Sequence, residues 1–115
     1  VAYDAHLAAR IREQLADLAD NPEVHEQTMF GGLAFLIAGR LAVAASGQGG
    51  LLVRVDPANY DRLLASGTAS PMQMKGRPIR GWLHIDRDHL RTKRQLAKWI
   101  RIGTATAASR SRHAS

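Results

Sequence analysis

The sequence predicts an α+β domain in two layers: an antiparallel five-stranded sheet with helices covering one face, in the order α-β3-α-β2-α. Three observations carry this. The chain opens on an apolar stripe of helical period, short apolar segments separated by glycine turns fill its middle, and two further amphipathic stretches follow capping aspartates.

Asp4 is a good N-cap for the first helix. Leu7, Ile11, Leu15 and Leu18 then recur at spacings of four, four and three, one face of an α-helix. Asp20-Asn21-Pro22 should end it, because the residue before proline avoids helical dihedrals. From Val24 the period changes. His25–Phe30, Leu33–Ala38, Leu41–Ala45 and Leu51–Val55 are strand-sized, and the spacers between them suit hairpins rather than crossovers. Gly31-Gly32 reads as a bulge within one bent strand, which merges the first two segments and leaves a three-stranded meander. Gly47-Gln48-Gly49-Gly50 is not a phosphate loop, because it runs into another strand, Leu51–Val55, where a phosphate loop would open a helix.

Asp56-Pro57 starts a second helix, with Asp as N-cap and Pro at the first helical position. Tyr60, Leu63 and Leu64 form its apolar side and Gly67 stops it. Met72–Lys75 and Arg80–Ile85 are two more strands about the turn Gly76-Arg77-Pro78. Met72, Met74 and Trp82 read as packing residues. Asp86 or Asp88 caps the last helix, whose apolar side is Leu96, Trp99 and Ile100. Residues 1–104 make the domain, and 105–115 read as a basic tail with too little to bury to stay ordered.

The 115 residues, 45% of them hydrophobic, fit one core. The absence of cysteine excludes disulfides, a thiol nucleophile and any thiolate metal site. No signal peptide opens the chain and no apolar run reaches the ~20 residues of a membrane helix, so the expectation is a cytoplasmic protein without membrane contact. The five histidines form no ligand set, no serine sits in a nucleophile elbow, and no nucleophile, base and oxyanion hole assemble. The sequence therefore implies no catalytic residue, no metal and no cofactor.

Charge is distributed unevenly. The net charge is +6, yet residues 1–70 carry five Lys/Arg against eight acids, and residues 71–115 carry eleven against two. Such asymmetry favours an anionic partner, although a solvated basic face would produce it too. Arg87, Arg91, Arg94, Lys98 and Arg101 are spaced four, three, four, three, which at about 100° per residue keeps them within about 40° of one line on a helix. Lys75, Arg77 and Arg80 form a second cluster in the turn before it. Together these eight residues are the candidate contact surface for a protein partner or an anion. No aromatic is interleaved with the cations on the outer face, which disfavours single-strand stacking.

Several motifs in this order resemble one family: Met29-Phe30-Gly31-Gly32 with Leu33-Ala34-Phe35, Leu52-Val53-Arg54-Val55-Asp56, Pro71-Met72-x-Met74-Lys75-Gly76-Arg77-Pro78-Ile79-Arg80-Gly81-Trp82, and Leu96-Ala97-x-Trp99-Ile100. The chain is similar, over roughly Tyr3 to Thr104, to the N-terminal domain of the bacterial competence regulator TfoX, also called Sxy. The resemblance implies the same α-β3-α-β2-α fold, as in secretion-chaperone-like domains. It also implies a role near transcriptional regulation, where competence regulators act alongside a cyclic-AMP receptor protein. It brings no catalytic residues. Full regulators have a second, C-terminal domain with helix-hairpin-helix character. Nothing in this sequence corresponds to it, so the resemblance implies a stand-alone N-terminal domain.

The leading expectation is a non-catalytic regulatory or protein-interaction domain, its partner within the transcription machinery. Direct nucleic-acid binding is the first alternative and an unrecognised enzyme or small-ligand binder the second. Monomer and homodimer both stay open, the latter through an edge strand such as Met72–Lys75.

Overall fold

The computed structural model describes residues 3–18, 23–29, 31–74 and 76–113. Asp4 caps the first helix, α1 (Ala5–Ala16), its side chain accepting from the backbone N–H groups of His6 and Leu7. The predicted stripe is the buried side, with Leu7, Ile11 and Leu15 at most 3% exposed. The helix ends earlier than Asp20-Asn21-Pro22, at Ala16 with Asp17 as its C-cap. Residues 19–22 lie outside the described residues.

Six strands follow in one antiparallel sheet among the described residues: β1 (Val24–Met29), β2 (Gly32–Ile37), β3 (Arg40–Ala45), β4 (Leu51–Arg54), β5 (Ser70–Met74) and β6 (Arg77–Ile85). Their spatial order is β1-β2-β3-β4-β6-β5. The expected five strands are therefore six. Gly31-Gly32 is not a bulge in one bent strand. Gly31 adopts φ +73°, which reverses the chain, and Met29 then pairs with Gly32 to begin a tight hairpin. A bulge does occur in β2–β3, between Phe35 and Leu36.

The second helix, α2 (Pro57–Ala65), begins as predicted, with the Asp56 carboxylate accepting from Ala58 N–H at 2.9 Å and Pro57 in the first turn. The last helix corrects two expectations. Asp86 caps only a short 3-10 turn, Arg87–His89. The long helix, α3, spans Lys93–His113 and is opened by Thr92. The Thr92 hydroxyl accepts from Gln95 N–H at 3.0 Å while the Gln95 side chain accepts from Thr92 N–H at 2.9 Å, a capping box. In addition, the helix continues through the stretch expected to be a disordered tail, with Thr106 and Ala107 buried. Ala107 joins the main core there, whereas Ala105 and Ala108 are exposed.

The helices lie on one face of the sheet. Their apolar sides join Phe35, Val43, Leu51, Val53, Leu83 and Ile85 in the main core. Opposite, no helix takes part, and Ala34, Ala44, Leu52, Met72 and Trp82 form a smaller cluster of their own. Gly103 sets the height of α3 over β3. A Cβ there would sit 2.5 Å from the Ala42 carbonyl oxygen, so glycine permits the close approach.

Strand register fixes which ends are neighbours. Leu51 faces Ile85 and Arg54 faces Trp82, so the β5–β6 turn projects beyond the Arg54 end of the sheet. The chain leaves β6 at the other end, beyond Ile85, before α3 runs back across β3 to pass Ala42 at Gly103.

Candidate interaction surface

The seven predicted cations among the described residues fall into three places rather than one. Arg94, Lys98 and Arg101 stand on the exposed crest of α3, and the buried side beneath them holds Leu96, Trp99 and Ile100. Among the described residues no carboxylate forms an ion pair with any of the three. Lys98 is held differently, its Nζ lying 4.9 Å from the centroid of the Trp99 ring.

Arg77 and Arg80 belong to β6 near the hairpin turn, and Lys75 lies outside the described residues. Arg80 reaches over to α2. Its guanidinium is 5.1 Å from the centre of the Tyr60 ring and donates to Asp61 at 3.3 Å.

Arg87 and Arg91 are not on α3, because the helix starts only at Lys93. They line a cleft of about 400 Å³ between the 3-10 turn and the start of α1, together with Asp4, His6, Arg10 and Asp88. Arg91 pairs with Asp88 at 3.0 Å, and Arg87 stands 4.0 Å from Asp4. β6 runs from Arg77 to Ile85 at about 3.3 Å per residue, so the turn cluster lies on the order of 25 Å along the sheet from Arg87 and Arg91. A single surface joining the turn to Arg87 and Arg91 is therefore replaced by separate clusters, because β6 carries the two ends of that surface to opposite ends of the domain.

Most of the described acids are engaged away from the crest. Asp4, Asp56 and Asp86 are used as N-caps, Asp61 and Asp88 serve Arg80 and Arg91, and Glu26 is taken by Arg12. The last of these pairs is bidentate, at 2.6 and 2.7 Å, and ties α1 to β1. Hydrogen bonds from Arg12 hold the Glu26 carboxyl below its ordinary value, with burial opposing and the charge of Arg12 adding; the same hydrogen bonds raise Arg12. Because the folded value is the lower one, the pair's stabilisation is complete above the ordinary glutamate range near about pH 4.3 and is lost as pH falls through the folded value. The acid limb of the melting-temperature profile should therefore flatten in Glu26→Gln, most visibly at low salt because the pair is exposed. Superimposable acid limbs for the two proteins would show that the pair contributes nothing.

Arg10 and His6 escaped sequence reasoning, because they reach the cleft only through the packing of α1 beside the 3-10 turn. Arg54 lies over the Trp82 ring, and both belong with the helix-free face, whereas Tyr60 is in the main core. His84 Nε2 lies 2.9 Å from the Gly49 carbonyl oxygen, which ties β6 to the β3–β4 loop. No helix among the described residues is long and apolar enough to cross a membrane.

No curated protein and no solved structure matches this chain. The model of the TfoX N-terminal domain matches residues 13–107. That span runs from α1 through the buried Ala107 of α3, so it takes in every strand and the whole α3 crest. The chain thus belongs to the TfoX N-terminal domain family, the relation that its motifs and their order had indicated.

Proposed function

We propose that this protein is a non-catalytic interaction domain of a bacterial cytoplasmic regulatory system, docking an acidic surface of a partner protein on the crest of α3. One observation carries the reading: Arg94, Lys98 and Arg101 share an exposed helical line with no carboxylate paired to them among the described residues. Cations left uncompensated on a rigid helix attract an acidic partner and set its orientation. The kinship with competence-regulator domains supports a partner within the transcription machinery.

The triple change Arg94→Glu, Lys98→Glu and Arg101→Glu should abolish capture of acidic partners in a pull-down. The fold should survive, since all three side chains are exposed. An identical set of partners from both proteins would sink the reading.

The same crest supports a second reading, contact with a nucleic-acid backbone. Neutralising three phosphates would give a slope of about −2.7 for log K against log salt. A mobility-shift titration with no complex even at low salt removes this reading. Trp99, the one aromatic beneath the crest, is 1% exposed and offers no stacking platform.

A further inference from the structure

The two edges of the sheet are built differently. β5 is a guarded edge, since it contains Pro71 and its pairing with β6 shifts register between Pro71 and Gln73. Both devices interrupt the row of backbone groups that another strand would need. β1 has neither. All six of its residues, Val24 to Met29, pair with β2 in unbroken register, and it contains no proline, glycine or lysine. Its four central residues are exposed. An inward-pointing charge can also guard an edge, but Glu26 is already satisfied by Arg12 on the helix side.

We propose that β1 pairs with β1 of a second copy of this chain, joining two six-stranded sheets into one continuous sheet. This inference is independent of the reading given to the α3 crest. Two arguments select a second copy.

The first is self-complementarity. A two-fold axis between antiparallel edge strands runs perpendicular to the sheet, so one residue must face its own copy. Centred on Gln27, the pairing sets amide against amide, Glu26 against Thr28 and His25 against Met29. No like charges face each other. Centring on Glu26 would oppose two carboxylates.

The second argument is charge. The strongly basic residues 71–115 supply β5, β6 and α3, whereas β1 belongs to the acidic part of the chain at the far edge. Pairing through β5 would bring the basic parts of two copies together. Pairing through β1 keeps them apart.

The perpendicular axis also leaves both α3 helices on the same face. With α3 over β3 and β4 and strands about 4.8 Å apart, the two crests would stand roughly 30 Å from each other.

The chain has no cysteine, so a single introduced thiol reports on the register. Light scattering on the full chain should give a concentration-dependent dimer of twice 12.6 kDa. Mild oxidation of Gln27→Cys should crosslink it, because directly opposed residues lie within disulfide reach. Glu26→Cys should not crosslink to itself, being displaced along the strand. Gln27→Lys opposes two cations at the axis and should halve the mass while leaving the circular dichroism and melting of the monomer unchanged. A monomer at every concentration overturns the proposal. So does a dimer that Gln27→Cys fails to crosslink, or one whose mass Gln27→Lys leaves intact.

Discussion

Trp99→Ala is expected to remove a large share of this domain's stability. The indole is 1% exposed and lies between α3 and the sheet, in the same core as Phe35, Val43 and Leu83. Truncating a buried tryptophan costs about 3–5 kcal/mol, from lost transfer energy plus the cavity left behind. Small domains have only about 5–15 kcal/mol in total. The urea midpoint should therefore drop by more than about 1 M, given slopes of about 1–3 kcal/mol per M. Trp99→Phe fills more of the volume and should lose less. A loss below about 1 kcal/mol for the alanine variant is the size of a surface change and would mean that α3 does not pack as described. The variant also removes the ring beneath Lys98, so partner binding should be compared only where both proteins remain folded.

Gly32→Ala is the second large effect, and its cause is different. The β1–β2 turn and the β3–β4 loop touch backbone to backbone. A Cβ on Gly32 would overlap the Ala45 carbonyl oxygen and approach the Gly47 nitrogen to 2.9 Å, and a Cβ on Gly47 would overlap the Gly31 carbonyl oxygen. No rotamer change relieves such overlap, because the obstacles are main-chain atoms. The loss should fall at the upper end of the overpacking range, about 3 kcal/mol. Gly31 is the control. Its φ is +73° and nothing lies within 4 Å of an added Cβ, so Gly31→Asn, which tolerates that conformation, should be far milder. Equal losses at the two positions would contradict the packing account. The Gly31-Gly32 pair in the family motif thus has a structural reason. One glycine turns the chain, and the other admits a neighbouring loop.

Local signals were legible wherever one short segment contained its own reason. Asp4 and Asp56 cap their helices as their position before an apolar stripe implies. The alternation from Leu33 to Val55 gave strands close to their observed limits. The capping box Thr92–Gln95 is equally local, but Asp86 and Asp88, both good capping residues, stand a few positions earlier and compete with it as helix starts. A start at Asp86 or Asp88 would set Arg87 and Arg91 on the last helix, which begins only at Lys93. The α+β class, the amphipathic α3 and the family motifs needed nothing beyond such local patterns.

Period, caps and charge are properties of neighbouring residues, so α1, α2, the antiparallel hairpins and the basic C-terminal part are legible along the chain. That Gly31 turns the chain into a sixth strand emerges only from the folded pairing, since a bulge and a hairpin place the same glycines in line and differ in what Met29 faces. The tertiary structure also decided which cations share a surface. β6 carries Arg77 and Arg87 to opposite ends of the sheet, and the packing of α1 brings Arg10 beside Arg91, eighty-one positions away. The same structure set β1 and β5 at the borders of the sheet, for a strand reveals such a position only once every other strand has been placed.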